Sequence, residues 1–162
     1  MTDEQKVAAL RSIRSVKARY FRCVDDHDWD GVSNLFTPAA SIAYGAEPKP
    51  RAVAMAESAA HMARYESVHN GYNAELYVDS PVSAHGRWHV QDRLYRRVDG
   101  SDDLYNLIHG FAYYDEIYEC LDGRWLIAGL VFTRTRKDLR MGVRKTSGGA
   151  GWWASAISEE EP

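Results

Sequence analysis

The chain predicts an α+β fold, with one curved antiparallel sheet packed against helices on one side. Two observations carry this. The first third shows helical periodicity, with Leu10, Ile13, Tyr20, Phe21 and Val24 on one face of a 3.6-residue repeat. From Ser67 onward the pattern changes to long alternating segments separated by turn residues. A third observation bounds the size: 162 residues with 45% hydrophobic content fit one domain with a sizeable core.

The elements follow in order. Thr2 or Asp3 caps a helix running to about Asp25, with Glu4 and Gln5 in its first turn. Asp28-Trp29-Asp30 opens a short second helix to Phe36, which Thr37-Pro38 stops. Ser41 to Tyr44 reads as a short strand, and Gly45, Pro48 and Pro50 as a loop. Ala52 to Tyr65, rich in Ala, Met and Glu, is a third helix. Four strands then form a meander: Ser67 to Val78, Val82 to Val98, Tyr105 to Leu121 and Arg124 to Thr135. The turn at Asp122-Gly123 is a hairpin signal. Three helices followed by a four-strand meander enclose a pocket between sheet and helices. The domain is assigned to residues 1–137 and a partly mobile or docked tail, with Trp152-Trp153, to 138–162.

Composition narrows the function classes. The formal charge is −3, and the one basic cluster, Arg134 to Lys145, is interrupted by Asp138, Leu139 and Met141. It reads as a solvated surface segment, so nucleic acid is not an expected partner. Cys23 and Cys120 form no CxxC, so neither a disulfide framework nor structural zinc is expected. The N-terminus lacks an apolar signal core and no run reaches membrane-spanning length, which predicts a cytoplasmic protein with no membrane partner. His85 and His89 share a strand face, but i, i+4 strand spacing is long for one ion, so no metal site is expected. No phosphate loop, nucleophile elbow or dinucleotide fingerprint is present, and no cofactor is expected.

Two acids stand on apolar surfaces. Asp25 lies four residues past Phe21, at the edge of the helix's apolar stripe, with Asp26 turned about 100° further toward solvent. On the second long strand Ala84, Gly86, Trp88, Val90, Asp92 and Leu94 share a face, and Asp92 is its charged member. A carboxylate aimed at a core needs a partner. A structural ion pair and a catalytic acid are equally compatible with that placement. His69 is a candidate partner for Asp25, because a carboxylate on one ring nitrogen fixes the tautomer and makes the other nitrogen a better base. Tyr20, Tyr44 and Tyr114 are candidate hydroxyl donors.

The segments Tyr20-Phe-Arg-Cys-Val-Asp25, Asp28-Trp29-Asp30, Gly86-Arg-Trp-His-Val-Gln-Asp92-Arg-Leu and Asp122-Gly-Arg-Trp125 resemble the SnoaL-like branch of the nuclear-transport-factor-like superfamily. The likeness runs from about Val7 to Arg136. Within the branch it is nearest to the bile acid 7α-dehydratases and more distant from the scytalone dehydratases. The resemblance implies a cone-shaped sheet (an α+β barrel, or cystatin-like cone) closed by the three N-terminal helices around an apolar pocket. It implies a catalytic set of Tyr20, Asp25, His69 and Asp92, with Tyr44 added by the scytalone type. Some positions depart from it: Gln91 or Asp92 replaces a second catalytic histidine, Val24 replaces a tyrosine, and Tyr72 stands where the bile acid type has a histidine.

The expectation is a cofactor-independent lyase of dehydratase type on a small polycyclic or aromatic molecule. His69 is the base, Asp25 orients it, Tyr20 is a donor and Asp92 an acid, while Phe21, Tyr44, Tyr72, Trp88 and Tyr114 line the substrate. An isomerase, a cyclase, another C–C or C–O lyase and a non-catalytic binding module stand as alternatives. Apolar residues on both faces of Tyr105 to Leu121 predict self-association, as a dimer or trimer.

Overall fold

The computed structural model describes residues 1–45, 47–100 and 104–143. The predicted tail beyond Val143, including Trp152-Trp153, lies outside the described residues. The elements are α1 (Asp3–Asp25), α2 (Trp29–Ser33), β1 (Phe36–Tyr44), β2 (Lys49–Pro50), α3 (Arg51–Met62), β3 (Glu66–Ser80), β4 (Ser83–Arg97), β5 (Leu104–Leu121) and β6 (Arg124–Val143). Among these residues no helix is long and apolar enough to cross a membrane, and Cys23 and Cys120 are free.

α1 starts on a capping box. The Thr2 hydroxyl accepts from the Gln5 amide and the Gln5 side chain accepts from the Thr2 amide. Its buried face carries Ile13, Val16, Lys17, Tyr20, Phe21 and Val24. His27 takes a positive φ of 57° after the helix, and Asp28 caps α2 through the Gly31 amide. α2 ends at Ser33, three residues short of the predicted end, because β1 begins at Phe36. Thr37-Pro38 therefore lies inside β1, within a register irregularity between Phe36 and Ser41. A proline fits there without breaking a ladder.

The six strands form one sheet in the order β2-β1-β6-β5-β4-β3. β3 to β6 are the predicted antiparallel meander. β1 pairs parallel with β6, so the sheet as a whole is mixed. It curves without closing, and the three helices fill its inner side, as an α+β cone. β6 runs eight residues past its predicted end at Thr135, into the segment assigned to the tail. Arg136 to Met141 pair with Phe111 to Asn106 of β5 through the backbone, while Leu139 and Met141 are exposed. A strand at the rim of a sheet needs ladder partners, not apolar side chains.

Register sorts the inner face into rows. Trp88, Tyr114, Phe132 and Tyr44 follow one another across β4, β5, β6 and β1. Toward the C-terminal end of α1 come Val90, Ala112 and Arg134, then His69, Asp92 and Gly110. On the other side come Gly86, Glu116, Leu130 and Ile42. α1 crosses these rows with Lys17 and Tyr20 against the aromatic row and Asp25 at β3. Ile13, fully buried on α1, is a main anchor of this docking. Ile13→Ala should lower unfolding free energy by about 3 kcal/mol in a urea titration, through lost burial and an unfilled cavity.

Candidate functional site

The site starts with the last turn of α1. Asp25 Oδ1 lies 2.6 Å from His69 Nδ1 and accepts from the Ser67 hydroxyl at 2.8 Å. Its Oδ2 accepts from the His69 backbone amide at 2.9 Å. β3 is the edge strand of the sheet, so an amide on its outer side is available to a helix side chain. Sequence reasoning pairs Asp25 with His69, and the two are in contact. It misses Ser67, although this residue stands two positions before His69 on the same strand face. With Nδ1 held by the carboxylate, Nε2 is the ring nitrogen left to exchange a proton. The His69 side chain is 7% exposed and the Asp25 side chain 23%.

His69 is stacked on Phe21 at a ring separation of 6.2 Å and 9° between planes. Phe21 in turn covers Gly71, where a Cβ would come within 2.3 Å of its ring. Gly71 thus admits the ring that flanks the histidine. A depression of about 570 Å³ borders this pair, lined by Arg14, Lys17, Phe21, Asp25, His69 and Trp88 among others.

Asp92 is His69's cross-strand neighbour and is 3% exposed. Both of its oxygens accept from Arg134, at 3.0 Å from Nη1 and 2.7 Å from Nη2. Arg134 reaches it from β6 by passing over β5 at Gly110, where a Cβ would lie 1.8 Å from Nη1 and 2.2 Å from Asp92 Oδ1. The fork geometry is the bidentate pairing that guanidinium and carboxylate favour. The geometry turns both oxygens of Asp92, expected as an acid, to one guanidinium. Arg134, read from sequence as part of a solvated cluster, is an exposed residue whose guanidinium nonetheless turns inward, over the Phe132 ring at 4.7 Å. Its alternation with Leu130 and Phe132 along β6 is the available signal.

The tyrosines form a separate cluster. The Tyr20 and Tyr44 hydroxyls are 2.6 Å apart, and the Tyr20 and Tyr114 rings meet edge-on at 5.8 Å. Burial, then the neighbouring phenols, pushes the Tyr20 hydroxyl well above its ordinary acidity range, and burial does the same to Tyr114. Both are therefore held as neutral phenols. Phe21 links the cluster to the histidine, with its ring 5.7 Å from Tyr20 and 6.1 Å from Tyr114.

Of the expected substrate contacts, Trp88 lines the depression and Tyr72 does not reach it. Trp88 is buried in the inner row, and its indole N–H donates to the Tyr118 hydroxyl at 2.9 Å. Tyr72 pairs with His89 in register, on the sheet face opposite His69, so it is not brought to the site. Sequence reasoning also misses the pair of Lys17 and Glu116, whose side chains are both fully buried, 2.5 Å apart. Helical phase on α1 and alternation with Tyr114 and Tyr118 on β5 place both inward. Among the described residues no three His, Cys, Asp or Glu side chains cluster as metal ligands. His85 pairs with Asp79, and His89 packs edge-on against Tyr113.

The comparisons with known proteins agree with this architecture. Among solved structures the chain is similar to a provisionally assigned scytalone dehydratase from Novosphingobium aromaticivorans, with TM-score 0.75 and 14% identity over 85% of this chain and 91% of that one. It is similar to hexachlorocyclohexane dehydrochlorinase LinA type 2, with TM-score 0.76 and 20% identity over 92% and 100%. It is also similar to the LinA type 3 enzyme of Novosphingobium barchaimii, with TM-score 0.74 and 18% identity over 91% and 100%. At these identities the likeness is one of fold. Residues 5–131 match the family model described as a SnoaL-like domain. With most of its length matched and the cone architecture in place, the chain belongs to the SnoaL-like family of the nuclear-transport-factor-like superfamily.

Proposed function

We propose that this protein is a cofactor-independent lyase of dehydratase type, acting on a small hydrophobic polycyclic or aromatic molecule. The observation that carries the reading is the Asp25–His69 contact at 2.6 Å, buttressed by Ser67 and the His69 amide. The fold's occurrence in a dehydrochlorinase and a provisionally assigned dehydratase supports it.

In this reading His69 Nε2 removes a proton from a carbon next to a carbonyl or conjugated system. The electron pair shifts onto the oxygen, which hydrogen bonds from Tyr20 and its cluster stabilise. The pair then returns to form the C=C bond as the C–O bond to the leaving hydroxyl breaks. The imidazolium proton passes to that hydroxyl, which departs as water. Asp25 holds the tautomer and stabilises the imidazolium. Asp92 takes a different part from general acid: it anchors Arg134, whose cation faces developing negative charge. An isomerase or cyclase on the same residues would share the proton abstraction and differ in the fate of the enolate.

The test is a panel of β-hydroxy ketones on polycyclic or aromatic frames, monitored by absorbance of the conjugated product and by deuterium uptake from solvent. His69→Ala should lower turnover at least 10³-fold, the order expected for a general base, with the circular dichroism spectrum unchanged. Full turnover in that variant would falsify the mechanism. Deuterium uptake without water loss would favour the isomerase. Gly110→Val should sever the Asp92–Arg134 pair, leave Asp92 buried and unpaired, and destabilise the fold by about 3 kcal/mol. Calorimetry reads that loss, and an unchanged melting temperature would contradict the slot at Gly110.

We also propose self-association through the outer sheet face. Tyr77, Ile117 and Val131 are 55%, 56% and 45% exposed there, along a groove of about 480 Å³ floored by Gly86 and Gly129. Exposed apolar side chains set around the Arg87–Asp115 ion pair suit an interface with both apolar and polar contacts. Light scattering should give a dimer or trimer for the wild type and a monomer for Ile117→Glu. A monomeric wild type would end the proposal.

A further inference from the structure

Lys17 and Glu116 are a costly feature. Taking two opposite charges out of water costs several kcal/mol per ion, and apolar residues of similar volume often serve stability as well or better. What the pair faces distinguishes it from a simple core contact. On the carboxylate side every oxygen is engaged. Glu116 Oε1 accepts from Lys17 at 2.5 Å, and Oε2 accepts from the Tyr118 hydroxyl, itself bonded by Trp88. On the ammonium side there are ring faces. Lys17 Nζ is 3.6 Å from the Tyr114 centroid, 4.3 Å from that of Tyr20 and 4.7 Å from that of Phe21. The ion pair is therefore an oriented dipole with its positive end against two tyrosines of the hydroxyl cluster.

A cation against a ring face draws electron density from the ring. In a phenol this makes the hydroxyl a stronger donor and favours negative charge opposite it. Of the other groups acting on the Tyr114 hydroxyl, Tyr44, Asp92 and Glu116 favour the neutral phenol, and the hydrogen bond with Tyr20 acts the opposite way. Tyr44 and Tyr114 likewise favour the neutral phenol at Tyr20. A cation against the same ring faces would oppose them.

We infer that Lys17, held by Glu116, is a positioning residue that acts through Tyr20 and Tyr114, tuning their hydroxyls to receive a substrate oxyanion. This rests on the proposed lyase reading and deepens it. A cation placed behind phenols has value when negative charge develops on an oxygen in front of them. The substrate class is then an enolisable ketone, or a phenol-forming cyclic ketone, whose elimination passes through an enolate. A simple alcohol or an alkyl halide without a carbonyl would not use the arrangement.

The experiment replaces Tyr20 by 2,3,5-trifluorotyrosine, whose acidic hydroxyl titrates in an accessible range, and follows its fluorine resonance against pH in the full chain. Lys17→Met and Glu116→Leu alone should each destabilise the fold, because each leaves its partner buried and unpaired. The double variant Lys17→Met/Glu116→Leu should regain the wild-type melting temperature. In it the titration midpoint should rise by about one pH unit, and kcat should fall on the order of tenfold with KM unchanged. Lys17→Met/Glu116→Gln, which removes the cation and keeps an acceptor for the Tyr118 hydroxyl, should move the midpoint the same way, upward. It carries the test even if the Glu116→Leu double variant does not fold. A wild-type midpoint in either double variant would overturn the inference. A midpoint that moves as stated in a protein that eliminates nothing from any ketone would leave the electrostatic device standing and remove the lyase reading alone.

Discussion

Everything at the candidate site depends on how one carboxylate is satisfied. Asp25 ends α1 pointing at a sheet edge, where an isolated acid would be costly. It meets three partners on β3: the Ser67 hydroxyl, the His69 amide and the His69 ring. Hydrogen bonds to a charged group contribute about 1.5–3 kcal/mol each when their alternatives are lost. The same bonds fix three things together. They set the rotation of α1, dock its last turn to the edge strand, and choose which imidazole nitrogen is engaged. A side chain that positions a helix is thereby also the one that orients the proposed base.

The sheet supplies the rest by register. Direct pairing puts His69 beside Asp92, and the small Gly110 lets Arg134 lean across β5 to reach it. One row away from Arg134, Trp88, Tyr114, Phe132 and Tyr44 make an aromatic floor under Tyr20. The polar groups therefore fall into two sets. The Asp25–His69 pair sits at the C-terminal end of α1, and the tyrosine cluster backed by Lys17 and Glu116 sits one to two turns earlier on that helix. Phe21 touches both and separates them with a hydrophobic wall. Under the proposed reading, a substrate lying along Phe21 would present its acidic carbon to His69 and its conjugated oxygen to the tyrosines.

Much of this is legible in the chain. The helix phase points Asp25 inward, and strand alternation puts Asp92 on the buried face with Trp88 and Val90. The same two rules, applied to Lys17, Glu116 and Arg134, place them inward too. Single long-chained charges are easily read as solvated, and the partners of Lys17 and Arg134 are 99 and 42 residues away. Parity along β3 also opposes Tyr72, since residues three apart on a strand face opposite ways. Its assignment rests on a resemblance, and register puts it with His89 on the outer face. The parallel β1–β6 pair and the extension of β6 to Val143 are not legible. Both depend on which backbone lies alongside rather than on the side chains of the segment.

The central claim is that Asp25 sets the tautomer of His69. Long-range nitrogen–proton correlation of the His69 ring, recorded where the imidazole is neutral, reads this directly. The account predicts the ring proton on Nδ1, shifted downfield by the carboxylate, with Nε2 bare, and loss of that shift in Asp25→Asn. A proton found on Nε2 in the wild type would contradict it.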